Sequence, residues 1–344
     1  MDNVVSLPDF EYFKGMKKMF PQSDYPFLNC SYNSLLTIAD YYHKDTFSII
    51  NNFVTIYRFD KNKIKDRGFF KLEVVNFKIL DEVLAEIGIT VNPMLPDTEN
   101  LQSQIRTSLA KGNPVAIYID LYYQRGRELY YFKQHGPHPV LVYGFNSSTN
   151  EVYIIDDITE YKKYTVPFEE IRQACMSEYI EGNQPRFLEF TLNSTYTDAG
   201  NIEEIYKESF NKYKHVMLNY KSEIMEGLQS IESLAEHYED IIKNEDIIET
   251  LSSTIYRKCS EKYRLAVLFL HNPEIAEKAD EVINTLLDGI IDDWTNLRAI
   301  STKAVYSQRF NHESVLKCVR ILHAIHQKEM LFTERLFQLI EETK

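Results

Sequence analysis

Cysteine is scarce in this 344-residue chain, and the four that occur, Cys30, Cys175, Cys259 and Cys318, lie far apart with no CxxC pair. That spacing excludes a disulfide framework and a cysteine-ligated zinc site, and it suits a reducing compartment. No apolar run reaches membrane-spanning length, and the first twenty residues lack the apolar core of a signal peptide. Basic residues are also outnumbered, 38 Lys and Arg against 51 Asp and Glu, a formal net charge of −13. Sequence-independent binding to nucleic acid or to an anionic membrane is therefore not expected. These absences describe a cytoplasmic protein, with no nucleic-acid or membrane partner and no metal site.

Apolar and aromatic residues are plentiful. Hydrophobic residues make up 44% of the chain, with 24 Tyr and 20 Phe, enough for two globular domains with a sizeable core. After an irregular lead-in at 1–29, residues Leu28, Tyr32, Leu35, Leu36, Ala39 and Tyr42 recur at helical spacing. Cys30 is thus expected at the entrance of an amphipathic helix of about three turns. Helices are expected over Asp81–Glu86, Glu99–Ala110 and Pro167–Cys175, and strands over Phe70–Val75, Pro114–Asp120, Pro139–Phe145, Val152–Ile155 and Phe187–Leu192. Residues 46–59 carry β-branched and aromatic side chains without a clean period, and Lys61–Arg67 reads as a basic, solvated loop.

Beyond residue 198 the pattern is helical, with only Gly227 and Gly289 as glycines. Asp198 and Asn201 are plausible caps, and helices are expected over Ile202–Leu234, Asp246–Leu270, Pro273–Ser307 and His312–Glu342. The expected architecture is α+β: residues 1–199 form a catalytic domain, a helix plus a mainly antiparallel sheet, and 200–344 an α-helical bundle. Long helices with apolar faces make a homodimer plausible.

Nucleophilic catalysis by cysteine needs a base to take the thiol proton and a group to orient that base. A helix N-terminus favours a thiolate, and Cys30 is the one cysteine expected there. Cys175 closes a short helix, and Cys259 and Cys318 fall inside helical stretches. His138 opens the Pro139–Phe145 run and Asp156 follows Val152–Ile155, so a hairpin would bring both to one end of a sheet. His138 is preferred to His135, which lies on the loop side of Gly136-Pro137, and Asp156 to Asp157, which alternation turns to the opposite face. The order Cys30, His138, Asp156 is that of papain-like cysteine enzymes.

Three segments strengthen the comparison: Asn29-Cys30 with its helix, Pro114–Tyr123 leading into His135-Gly136-Pro137-His138 and Val140–Phe145, and Val152–Asp157. They resemble the butirosin biosynthesis protein H family, and Trp294–Leu297 and the closing helix with Glu329 and Leu336 are similar to its helical C-terminal part. The resemblance implies a papain-like fold and an acyltransferase of natural-product biosynthesis, moving an acyl group from a carrier-protein thioester to a small-molecule amine. The donor would arrive on phosphopantetheine, with no cofactor bound. By position it implies Cys30 as nucleophile, His138 as base and Asp156 as orienting acid.

Papain-like peptidases usually carry an oxyanion-hole glutamine six residues before the cysteine, where this chain has Asp24; Gln22 lies eight before. Asp120 is the candidate for the acceptor amine, with Tyr122, Tyr123 and His135 as further substrate-binding residues. Docking of an acidic carrier protein would draw on Lys61–Arg67 or on Arg125, Arg127 and Lys133. A peptidase or amidase with the same triad, and a non-catalytic papain-like binding module, are the alternatives.

Overall fold

The computed structural model describes residues 3–21, 27–66, 68–96, 99–128, 130–156, 163–182, 187–193, 202–244, 246–269 and 275–343. Gln22, Asp24, Arg67, Asp157, Asp198, Asn201 and Pro273 lie outside the described residues. The strands are β1 (Val4–Ser6), β2 (Phe53–Phe59), β3 (Phe70–Asn76), β4 (Ile89–Met94), β5 (Val115–Asp120), β6 (Pro137–Asn146), β7 (Glu151–Ile155), β8 (Lys163–Pro167) and β9 (Phe187–Leu192). The chain forms two compact units, residues 1–49 with 78–199, and residues 50–77 with 200–344. The expected α+β part and the helical part that follows it are both present, but the β2–β3 segment packs with the helices rather than with the domain drawn at 1–199.

The first unit is built on an antiparallel sheet in the order β4-β9-β5-β6-β7-β8, with β1 against the far end of β6. β5, β6 and β7 are its central strands, and their inward residues Val115, Ile117, Val140, Val142 and Ile154 are fully buried. The register shifts between Val142 and Gly144, where a Cβ on Gly144 would sit 2.5 Å from the Tyr153 ring. Only glycine fits there. Helices cover Cys30–Tyr41, Leu80–Glu86, Leu101–Ala110 and Phe168–Cys175, close to their expected bounds. Strands β1, β4 and β8 carried no sequence signal. Two are edge strands of the main path and β1 is three residues long, so none shows a buried period.

In the second unit β2 and β3 form a two-stranded antiparallel ribbon. Residues 53–57 of β2 are all buried. A strand covered on both faces has no polar alternation, which is why residues 46–59 lacked a period. Trp294, itself fully buried, stacks against Tyr57 and meets Phe70 at a tilt, with ring centroids 6.1 and 5.8 Å away, joining ribbon to helix. The helices run over Ile202–Asn219, Lys221–Gly227, Gln229–Glu236, Asp246–Phe269, Leu287–Ser307 and His312–Glu342. The expected helix from Ile202 to Leu234 is broken at Tyr220 and Leu228. The second break follows Gly227, where a Cβ would lie 3.0 Å from the Tyr57 backbone oxygen. Asn311 caps the last helix by accepting from Ser314 N–H at 2.7 Å. Among the described residues no helix is long and apolar enough to cross a membrane.

A buried ionic network crosses this unit. Lys258 Nζ donates to Glu261 Oε2 at 2.6 Å and Glu329 Oε2 at 3.0 Å, while Tyr57 donates to Glu329 at 2.6 Å and Thr55 to Glu261 at 3.2 Å. Burial works against the Lys258 charge, but the two carboxylates outweigh it and hold its pKa above the ordinary lysine range. Removing the cation would leave two buried carboxylates facing each other. Lys258→Ala is therefore expected to cost about 3–5 kcal/mol of stability, read as a lower urea midpoint, whereas an unchanged midpoint would mean the network is solvated in solution.

Candidate active site

Entry into the Cys30–Tyr41 helix is set by three residues. Leu28 adopts φ +59°, a left-handed conformation uncommon for residues other than glycine, and Asn29 returns to extended backbone at φ −166°. The Asn29 side chain accepts from Tyr32 N–H at 3.0 Å, so it is the N-cap and Cys30 is the first helical residue. Ser34 donates to the Cys30 carbonyl at 3.0 Å, holding that first turn. Cys30 is half-buried, while Cys175, Cys259 and Cys318 are buried. Burial pushes the Cys175 and Cys259 thiols up to about 12 and raises Cys318 as well, so these three are inert thiols at neutral pH.

The sheet brings the histidine and the acid together. His138 lies at the start of β6, paired with Ile119 of β5, and Asp156 is the residue after β7, whose last residue Ile155 pairs with Leu141. Because β6 and β7 are antiparallel neighbours, residues 18 apart in sequence meet at one end. His138 Nε2 lies 2.6 Å from Asp156 Oδ1, and both side chains are almost completely buried. Cys30 lies near enough to His138 to favour the charged ring. With Nε2 given to Asp156, Nδ1 is the ring nitrogen left for the thiol.

Burial opposes a charge on His138, but Asp156 and then Cys30 outweigh it and raise its pKa to about 10. At neutral pH the ring is an imidazolium, and Nε2–H donates to Asp156.

Three further residues secure Asp156, and no motif or spacing singles them out for this. Arg127 Nη2 lies 3.0 Å from Asp156 Oδ1, 3.3 Å from Oδ2 and 2.9 Å from His138 Nε2. Gln124 donates to Asp156 Oδ2 and accepts from Arg127 Nε at 2.9 Å, and Tyr164 donates to Oδ2 at 3.3 Å. Both Arg127 N–H and imidazolium N–H are donors, so it is the shared Oδ1 that holds these two cations side by side. Arg127, expected as part of a docking patch, is instead only 15% exposed and engaged at the dyad. Arg125 pairs with Glu170 at 3.0 Å, and Lys133 donates to the Glu128 carbonyl. An arginine seven residues beyond a strand gives no linear cue to such a role; only the return of the loop does.

Asp120 forms a second, separate cluster. Its buried carboxylate accepts from His135 Nδ1 and Ser177 Oγ, each at 2.7 Å, and from the backbone N–H of Tyr122 and Gly136. With four donors in place it has no free lone pair directed at an amine, and what this cluster presents outward is the half-exposed His135 ring. That ring stacks between Tyr122 and Tyr179, centroids 4.4 and 5.4 Å away, and Tyr123 meets Tyr122 edge-on.

Residues 43–157 match the family model described as butirosin biosynthesis protein H, N-terminal. The resemblance read from the sequence is borne out over this segment. It contains His138, Asp156, Gln124 and Arg127 and begins downstream of Cys30. No curated protein matches the chain.

The His138 charge gives a direct test. A histidine whose folded pKa lies above its unfolded value of about 6.5 contributes stability that is complete below that value and lost as pH rises through about 10. Asp156→Asn removes the stronger of the two influences that raise the pKa. It is expected to move the His138 midpoint down in an NMR titration and to flatten the loss of stability between these limits; an unmoved midpoint would contradict the pairing.

Proposed function

We propose that this protein is a cysteine-dependent acyltransferase of natural-product biosynthesis. In this reading it accepts an acyl group from a carrier-protein thioester and transfers it to an amine. The observation that carries the reading is one imidazole bonded to a clamped aspartate and held charged by that aspartate and by a half-buried cysteine that is the first residue of a helix. The match to a family named for butirosin biosynthesis supports the biosynthetic setting.

The reaction begins with His138 protonated. Cys30 Sγ, its proton residing on His138, attacks the thioester carbonyl and forms the new C–S bond. The tetrahedral intermediate collapses with cleavage of the donor C–S bond, and His138 gives its proton to the departing pantetheine sulfur. The imidazole is then neutral and is the base for the second half. The amine attacks the acyl-cysteine, His138 takes the amine proton, the C–N bond forms and the Cys30 sulfur leaves. Charge and protons return to the starting state. Asp156 stays ionised throughout and fixes the imidazole, and Arg127, Gln124 and Tyr164 fix Asp156. The backbone N–H of Cys30, at the helix N-terminus, is available to the oxyanion; the part assigned to Gln22 concerns a residue outside the described ones. His135, Tyr122 and Tyr123 are the side chains proposed to receive the acceptor amine, with Asp120 acting through His135.

Intact-mass measurement with acyl-pantetheine thioesters tests the reading. A covalent acyl adduct is expected on the wild type, absent from Cys30→Ala and discharged by added amine. His138→Ala is expected to slow its formation by at least about 100-fold. Peptide cleavage without any thioester-derived adduct would overturn it in favour of a peptidase.

A further inference from the structure

One large cavity of the first unit opens beside the proposed nucleophile. It measures about 750 Å³ and lies between the Cys30–Tyr41 helix and strands β4, β5, β6 and β9. Ser31, the residue after Cys30, and Pro139, the residue after His138, both line it. Ser34, one helical turn beyond Cys30, lines it as well, so the cavity runs along the helix that Cys30 begins. Its volume falls in the range of sites that enclose a drug-sized ligand, roughly 300–1,000 Å³.

Its chemistry is one-sided. The floor is formed by buried Ala116, Pro139 and Phe190, and Leu35 and Leu188 continue the wall. The Ser34 hydroxyl, which also faces this space, is already donated to the Cys30 carbonyl. Among the described residues that line it there is no lysine, arginine or histidine. Among the described lining residues the one acid is Asp81, which is exposed, as is the apolar Leu95, 73% exposed. An anionic acyl group would find no counter-charge here and would meet the Asp81 carboxylate. Apolar surface of this kind gains only by being covered.

We infer that the acyl group placed on Cys30 is an uncharged, aliphatic chain, bound along this cavity with its carbonyl at Cys30 and its tail toward Leu95. The inference rests on the acyl-transfer reading and adds the substrate class to it. Each methylene taken from water into such a site tightens binding about fourfold.

Two measurements separate the inference from the reading beneath it. Calorimetry of Cys30→Ala with pantetheine thioethers, which cannot transfer their chains, reports the cavity alone. Affinity is expected to rise about fourfold per methylene from butyl to octyl, and a carboxylate-tipped chain of equal length is expected to bind at least about tenfold more weakly. In the wild type, the rate of Cys30 acylation by thioesters from acetyl to decanoyl is expected to peak at the longer chains, and Leu35→Trp, which narrows the cavity, is expected to shift the peak to shorter ones. Affinity and rate that ignore chain length, or that favour charged tails, would overturn the aliphatic assignment while Cys30 acylation itself leaves the transferase standing. Length-dependent thioether binding with no acylation by any thioester would retain the aliphatic site and overturn the transferase.

Discussion

The structure of the site depends on one hydrogen bond, that between His138 Nε2 and Asp156 Oδ1, made across the end of two antiparallel strands. Everything around it serves to keep two buried, oppositely charged groups in register. Burial alone would neutralise the histidine. The Asp156 carboxylate reverses that outcome, and Arg127, Gln124 and Tyr164 occupy its remaining lone pairs so that it stays ionised. A buried ion pair of this kind is weak as a source of stability but exact in position. Its value is that Nε2 is committed to Asp156, which fixes the ring near the one cysteine that begins a helix.

The two carboxylates near β5 and β7 illustrate how similar residues acquire different tasks. Asp156 holds the imidazole that touches Cys30. Asp120 is equally buried, yet it is saturated by two backbone amides, Ser177 and His135, and its influence reaches outward only through His135. In the proposed reaction, proton transfer falls to the first cluster. The second, flanked by Tyr122 and Tyr179, offers a rigid aromatic surface at the edge of the site.

Much of this arrangement was legible in the sequence because it rests on local rules. The apolar spacing from Leu28 to Tyr42 marks a helix with Cys30 at its entrance, where the structure begins it. Two β-type runs joined by a turn, one opened by a histidine and one closed by an aspartate, bring their ends together whatever the rest of the fold does. What escaped was non-local. Arg127 and Gln124 reach Asp156 only because their loop folds back, and composition made Arg127 look like surface charge. The ribbon of β2 and β3 was assigned to the wrong unit because chain order suggested it, whereas burial of residues 53–57 and the stacking on Trp294 place it with the helices. Gly227, read simply as a helical glycine, is the point where a helix touches the Tyr57 backbone.

The central claim is that Cys30 and His138 form one reacting pair. Treatment with 1,3-dibromoacetone, which alkylates a thiol and then a neighbouring imidazole, followed by peptide mapping, tests that claim most directly. A covalent bridge between Cys30 and His138, lost in either alanine variant, is the predicted result. A protein alkylated at Cys30 but with His138 unmodified would contradict the account.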